Sequence, residues 1–351
     1  MEIRQYADFS KIPLDASGWD QLVDANQTDS IFLHYHWIQI WWKYFGSQYK
    51  LWFLTAEENH QILGFAPLML DRHGCIRFIG EPNADYLDFV APAQQEKILC
   101  GFFALLNQHR SDWSTIELRN IPDSSALLDL MPAACSQASL TFWKNYSIEA
   151  PSLIIKGNEG NVRKILSKYS IRRTENMLRK YGDLEYRIVR NVDEAESLWT
   201  TFFNQHIQRC DLANRNSTFL NQNYRRFIIE LFNTDTTNCF THFSAVLMNG
   251  KAIAFHFGFI SQNRLLWYKP CFDINIKKGS PGILLIKHLA EYALDNALDE
   301  LDFTIGTETF KDRFSTVRRR ICTARIYRSR VRFFSDCTYN TIRSAAKSLI
   351  V

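Results

Sequence analysis

The chain has 351 residues, of which 46% are apolar, 22% charged and 14% aromatic, with a formal charge of +4. That composition excludes a disordered chain and allows two domains with cores of their own, and so small a charge does not by itself argue for nucleic acid. The opening MEIRQYADFSKIPLDASGWDQL lacks the basic-then-apolar pattern of a signal peptide, and no run approaches the ~18 apolar residues of a membrane span, so a cytoplasmic protein is expected. The eight cysteines, at 75, 100, 135, 210, 239, 271, 322 and 337, show no CxxC and no histidine at ligand spacing. They read as reduced, mostly buried thiols, with no metal expected.

In chain order, Trp37, Trp41, Trp42 and Phe45 recur at helical spacing and are expected in a core, with ligand stacking as the alternative. Residues 51–80 then read as strand, polar turn, long strand, turn and strand, an antiparallel meander. The same pattern returns at 241–270: at a constant offset of 190, Ile62–Ala66 falls on Ala252–His256 and the turn Glu58–Gln61 on Met248–Lys251. Each meander is followed by a helical stretch (about 94–107 and 281–297) and a strand (Thr115–Arg119 and Leu301–Ile305), so a structural duplication is expected. Between the copies, 160–181 reads as one amphipathic helix carrying Arg172 and Arg173. Asp193–Cys210 and Asn221–Asn233 read as two more, with Asp211–Ser217 a flexible loop. No Gly/Ser-rich linker separates the halves, so domains at 1–150 and 151–351 are expected to pack tightly.

After the second meander a turn of Lys277, Lys278, Gly279, Ser280, Pro281 and Gly282 opens a helix at once. Such a turn offers unpaired backbone N–H groups and the positive end of the helix dipole, a place to hold a phosphate. The plainer alternative is a solvated turn with two surface lysines. Residues 311–332 hold Lys311 and eight arginines against the single acid Asp312. Alternation in ICTARIYRSRVRFF (321–334) suggests a strand with a charged outer face, and without a recognisable binding module the charge argues against a nucleic-acid partner.

Taken together, FLHYHWIQIWWKYFG (32–46), QILGFAPLML (61–70), IRFIGEPNADYLDFV (76–90), YSIRRTENMLRKYGDLEY (169–186), KKGSPGILL (277–285) and LDFTIGTETFK (301–311) resemble the GNAT acyl-CoA N-acyltransferases. More narrowly, the chain resembles the CelD/BcsL group of cellulose-biosynthesis-type acetyltransferases, built as tandem GNAT domains. The resemblance implies an α/β (α+β) fold of two GNAT-like domains, each a mixed, mostly antiparallel sheet flanked by helices. It implies a cleft between them, with acetyl-CoA or another acyl-CoA (or an acyl carrier) bound by the second domain. The first domain, degenerate at the phosphate turn, would shape the site for a small-molecule or glycan acceptor, in polysaccharide or cell-envelope biosynthesis.

Direct acyl transfer requires that the acceptor lose a proton and that the thioester carbonyl be polarised. Glu308, beside Gly306, is expected at the cleft mouth as general base or acceptor-orienting group, or else as a surface acid paired with Lys311. Asp302 either points into the cleft or caps its strand. His256 is either a base or a buried, hydrogen-bonded strand residue, and the same choice holds for His206. The strand Arg264–Lys269, with Tyr268, would offer an edge to the pantetheine arm. Lys278, Gly279, Ser280, Pro281, Gly282 and Lys311 would hold the rest of the donor, although Pro281 contributes no amide. Asp85, Tyr86 and Asp88 would receive a hydroxyl- or amine-bearing acceptor, or form an exposed turn. Arg172 and Arg173 diverge by about 100° on a helix, so only one would meet an anionic acceptor group or a CoA phosphate. Two other readings stand: an aminoacyl-tRNA-dependent transferase of the Fem type, and a non-catalytic module that binds a glycan or carrier protein.

Overall fold

The computed structural model describes residues 1–334 apart from 27, 29, 235–240, 307 and 332. The elements in chain order are β1 (Glu2–Tyr6), α1 (Ala16–Asp24), α2 (Tyr35–Phe45), β2 (Lys50–Leu51), β3 (Phe53–Glu58), β4 (Gln61–Ala66), β5 (Leu68–Leu70), β6 (Cys75–Phe78), α3 (Gln95–Gln108), β7 (Thr115–Pro122), α4 (Ala126–Gln137) and β8 (Thr141–Ile154). There follow α5 (Glu159–Leu166), α6 (Tyr169–Arg179), β9 (Leu184–Val189), α7 (Val192–Leu212), α8 (Gln222–Thr234), β10 (Thr241–Met248), β11 (Lys251–Ser261), β12 (Arg264–Phe272), α9 (Pro281–Asp295), β13 (Glu300–Asp302) and β14 (Val317–Tyr327). They form two compact units, one of residues 1–147 with the described residues from Arg320 on, the other Ile148–Arg319. The chain leaves the first unit within β8 and returns to it within β14.

In the second unit the strand order is β8, β13, β12, β11, β10, β9. The run β9 to β12 is antiparallel, and for β10 to β12 the tight turns are the reason. Asn249 and Gly250 (φ 50° and 75°) and Gln262 and Asn263 (φ 44° and 59°) are two-residue loops with both φ positive, which match the right-handed twist of the flanking strands. β12 pairs with β13 in parallel, which requires a crossover, and α9 supplies it. The sheet buries both faces. Val246 and Ala254 pack with Leu285, Ile286 and Leu289 of α9 and with Leu178 of α6. Phe243, Phe255 and Phe257, opposite in phase, pack on Phe202 and Trp199 of α7. Each such fully buried side chain contributes about 1.5–3 kcal/mol relative to exposure. The register jumps at Gly258, where Trp267 and Tyr268 of β12 face one residue of β11. A Cβ there would collide with the Leu266 carbonyl and lie 2.5 Å from His256 Nε2, so only glycine fits.

The first unit repeats this order. Strand β1, helices α1 and α2, strands β3 and β4, helix α3 and strand β7 correspond to β9, α7, α8, β10, β11, α9 and β13. The turn Asn59–His60 (φ 51° and 64°) corresponds to Asn249–Gly250, and β6 and β7 are parallel, as β12 and β13 are. One difference is decisive. The middle strand breaks at Pro67, so that β4 pairs with β3 in a sheet of three while β5 joins β2 and β6. Of the helix stripe, Trp37 and Trp41 are buried in the core, and Trp42 and Phe45 are half-buried. Each unit is completed by a strand that belongs by chain order to the other copy, since β8 residues 152–154 pair with β13 and β14 residues 321–326 pair with β7.

Three expectations change. The single helix at 160–181 is two, α5 and α6, divided at Ser167–Lys168. The last strand of the second copy stops at Asp302, because Thr304 takes φ 53° and its amide donates to Asp302 Oδ1 at 2.7 Å. The arginine-rich strand, expected over 321–334, runs Val317–Tyr327, and its charges, expected in solvent, are paired: Arg318 with Glu149, Arg319 with Glu300, Arg320 with Asp123 and Arg325 with Glu117. Arg332 lies outside the described residues. The six described cysteines are free and five are buried; Cys239 and Cys337 lie outside the described residues. Among the described residues no helix is long and apolar enough to cross a membrane.

Candidate active site

The site is built at the start of α9. Gly279, at φ 86°, turns the chain, Ser280 is the N-cap, and Pro281 occupies the first helical position, where a missing amide costs nothing. The Ser280 carbonyl accepts from Ile283 (3.0 Å) and Leu284 (3.2 Å), so those two amides are satisfied within the turn. The amides of Gly279, Ser280 and Gly282 find no acceptor among the described residues, and no side chain caps the helix. Three open donors therefore sit at the positive end of a 15-residue helix. Lys277 and Lys278 are exposed beside them, without an ion pair among the described residues.

Behind this turn lies a cavity of about 200 Å³, walled by Arg209, Trp267, Pro270, Phe272, Gly282 and Phe310, among others. It exists because two neighbouring strands part. The β12–β13 ladder ends at Leu266 and Asp302, and β12 runs on to Phe272 without a ladder neighbour on that side. Thr304 reaches back to the Trp267 carbonyl with its hydroxyl at 2.9 Å and fixes the point of divergence. Gly282 is tightly fitted, since a Cβ would lie 3.2 Å from Phe272 Cδ1.

Arg209, on α7, is the charged group in the wall. Its Nη1 donates to the Pro270 carbonyl at 3.0 Å and its guanidinium lies 5.5 Å from the Phe272 ring centre, but it has no carboxylate partner among the described residues. Burial lowers its pKa from the ordinary value. Arg215 and Lys269 add to the local positive field. His206, held by burial and then by those three cations, is pulled down to about 3 and stays neutral, with Nδ1 2.8 Å from the Ser217 hydroxyl. It is a structural residue.

Glu308 is a third exposed at the edge of the site, 3.0 Å from Lys311 Nζ and 3.8 Å from Arg215. Burial pushes its pKa up, but Lys311 and Arg209 more than offset that, and the carboxyl stays below the usual range. Lys311, expected to touch the donor, is instead 2% exposed and fully engaged. Its ammonium donates to the Thr304 and Ile305 carbonyls (3.4 and 3.1 Å) as well as to Glu308, and so clamps the loop that carries the acid.

Several other expected residues lie elsewhere. His256 is wholly buried between His242 and the Leu266 carbonyl and cannot meet a substrate. Asp302 is 1% exposed and caps its strand end through the Thr304 amide. Tyr268 turns to α8, its hydroxyl 2.8 Å from that of Tyr224, rather than into the cavity. Asp88, expected at the acceptor, is sealed in the first unit, where it accepts from Thr28 at 2.7 Å and burial pushes its pKa up to about 6. Tyr86 is buried too, its carbonyl accepting from Ser30, and Asp85 is half-buried. Arg172 and Arg173 are exposed on α6, and neither borders the cavity. Sequence reading missed Arg209, Trp267, Phe272 and Phe310. For Arg209 a signal existed: three residues past His206 on α7, it lies at the margin of the apolar face of Phe202, Phe203 and Cys210.

Residues 167–312 match the family model described as an acetyltransferase (GNAT) domain. None of the curated proteins matches the sequence. Among solved structures, FemX is similar at 8% identity and a TM-score of 0.61, over 92% of this chain and 97% of its own. The C-terminal domain of a putative lysylphosphatidylglycerol synthetase from Agrobacterium fabrum is similar at 12% identity and a TM-score of 0.52, over 92% and 96%. A tandem GNAT protein from the clavulanic acid biosynthesis pathway is similar at 10% identity and a TM-score of 0.51, over 92% and 97%. At these identities the likeness is one of fold: mixed α/β, mostly antiparallel sheets, the GNAT architecture.

Proposed function

We propose that the chain is an acyltransferase that moves an acyl group from acyl-CoA to an amine or hydroxyl, with the donor held by the second unit. The observation that carries this reading is the conjunction at α9: three open amides and two unpaired lysines outside, and behind them an aromatic-walled cavity with an arginine. A diphosphate needs the first and a thioester arm the second. The first unit is proposed to serve the acceptor. Acetyl transfer of the CelD/BcsL type to a sugar or small amine, in the cytoplasm, is the finer form of the proposal.

The acceptor nitrogen or oxygen attacks the thioester carbonyl carbon, the carbon–sulfur bond breaks and the thiolate leaves. Glu308 is ionised at neutral pH and its proton affinity is low, which makes it a weak base but a strong hydrogen-bond acceptor. It therefore orients the acceptor N–H or O–H, and the proton passes on to solvent or to the departing thiolate. Calorimetry with CoA tests the site. Gly282→Trp, which displaces Phe272 and covers the open amides, is expected to weaken binding at least about tenfold with the circular-dichroism spectrum unchanged. Unchanged affinity removes the donor site from α9.

A second reading, aminoacyl transfer of the Fem type, is favoured by the likeness to FemX along nearly the whole chain. The ion pairing of the β14 arginines weighs against it, because it leaves less free positive charge for a tRNA backbone. Turnover with charged tRNA, and none with acyl-CoA, would select it.

A further inference from the structure

Residues 163–181, which span the end of α5 and all of α6, hold seven basic side chains against one acid, Glu175. The helix sorts them onto one side. At about 100° per residue, Tyr169, Arg172, Arg173, Asn176, Arg179 and Lys180 fall within an arc of about 120°, opposite the buried Ile171 and Leu178. All six are exposed. Glu175 lies off the arc and is already held, by Lys287 at 2.7 Å and Arg179 at 2.8 Å. Arg172, Arg173 and Lys180, with Lys168 just before the helix, make no ion pair among the described residues. Two aromatic rings flank the row: Tyr169 is 73% exposed at the start of α6, and Tyr181 is 50% exposed just past its end.

We infer that this face docks the protein on an anionic phospholipid membrane. A row of like charges repels itself, and interleaved acids are the usual remedy on a helix surface. None stands in this arc. Lipid phosphates supply the missing charge over a plane, which a single straight arc can meet along its whole length. The tyrosines suit the same plane, each with an apolar ring for the acyl boundary and a hydroxyl for the headgroups. A nucleic acid fits less well. The major groove of an A-form duplex is too narrow for a helix, and a single strand is held in a basic groove, whereas α6 is a convex ridge. The donor turn adjoins this face, since Leu178 on the inner side of α6 reaches Gly279, but the two share no residue. Docking and acyl transfer can therefore be tested apart.

The probe is a vesicle of phosphatidylglycerol mixed with phosphatidylcholine, set against one of phosphatidylcholine alone, in co-sedimentation with the full chain. Binding is expected to the first and not to the second, and is expected to fall as salt rises. The combined reversal Arg172→Glu, Arg173→Glu and Lys180→Glu is expected to weaken binding at least about a hundredfold, at about fivefold for each cation at an anionic surface. Its circular-dichroism spectrum should match that of the wild type. Tyr169→Ser is expected to weaken binding to the vesicle but not to heparin, which carries charge without an apolar interior. Binding to neither vesicle, binding indifferent to phosphatidylglycerol, or binding kept by the charge reversal overturns the assignment. So does capture of an RNA duplex through this face, at physiological salt, by a chain that ignores both vesicles.

Discussion

The two copies of the meander differ at the strand edge where the donor is proposed to bind: open in the second copy, looped over in the first. In the second, β12 pairs with β11 as one strand of nine residues, and its far side past Leu266 is open. In the first, β6 ends at Phe78, residues 79–89 loop out, and the chain returns to pair Val90 with Phe65, the position that corresponds to Phe255 at the 190-residue offset. The returning backbone lies so close to β4 that a Cβ on Gly64 would strike the Val90 carbonyl. The segment that is an open strand edge in one unit is thus replaced in the other by a loop folded onto its own sheet. The two units share the element order, and about ten extra residues in the first separate their strand edges.

The sharpest way to break the comparison is at the bulge. Leu68 stands in the first copy where Gly258 stands in the second, because Pro67 has already divided that strand. Gly258→Leu would drive a side chain into the Leu266 carbonyl and His256, and a loss of about 3 kcal/mol in denaturant unfolding is expected, with the loss confined to the second unit. A variant of wild-type stability would show that the bulge is not the device that holds β12 in place. Next in size is the helix start. Glu96→Trp, at the α3 position matching Gly282, is expected to leave CoA affinity unchanged while Gly282→Trp lowers it, and equal losses would mean that both copies bind the donor.

How far the sequence discloses this depends on the range of the interaction. The turns Asn59–His60 and Asn249–Gly250, the helices beginning at Gln95 and Pro281, and the open turn at Gly279 are local matters of φ, Pro and Gly, and they are legible. The trade of β8 and β14 between units is not, since a strand's pattern states which face is apolar and not which edge it joins. Lys311 misled for a related reason: a lysine near a cleft reads as a ligand contact until the Thr304 and Ile305 carbonyls are seen to occupy it. Arg209 was hidden because its role comes from the Pro270 carbonyl, 61 residues away in sequence.

Smaller effects test the site itself. Arg209→Met keeps the stem that packs on Phe272 and removes the charge, and about a tenfold rise in the donor's Kd is expected, the size of a charge-assisted hydrogen bond. Glu308→Gln is expected to lower kcat about tenfold at neutral pH. Because the Glu308 pKa is depressed, its ionised form is lost only as pH falls below the ordinary carboxylate range. The wild-type rate should therefore show no limb between pH 5 and 8 that the variant abolishes. Such a limb would make Glu308 a base of raised pKa.

A different test lies in the first unit, where the acids behave in the opposite sense. Glu81, in the looped-out segment, is pushed up to about 7 by burial despite Arg77 at 2.9 Å and Arg119 at 3.4 Å, and Asp88 is pushed up to about 6. Each binds its proton more tightly folded than unfolded. The stability each contributes is complete below its unfolded value, 4.5 for Glu81 and 3.8 for Asp88, and is lost as pH rises through the folded value. Hydrogen exchange followed separately in the two units should show the first unit less protected at pH 8 than at pH 5, by about 4 kcal/mol after correction for intrinsic rates. Glu81→Gln, which keeps the shape and cannot ionise, should flatten most of that slope. A slope that the substitution leaves intact would place the titrating group elsewhere and would part the loop's acid from the closure of the first unit's strand edge.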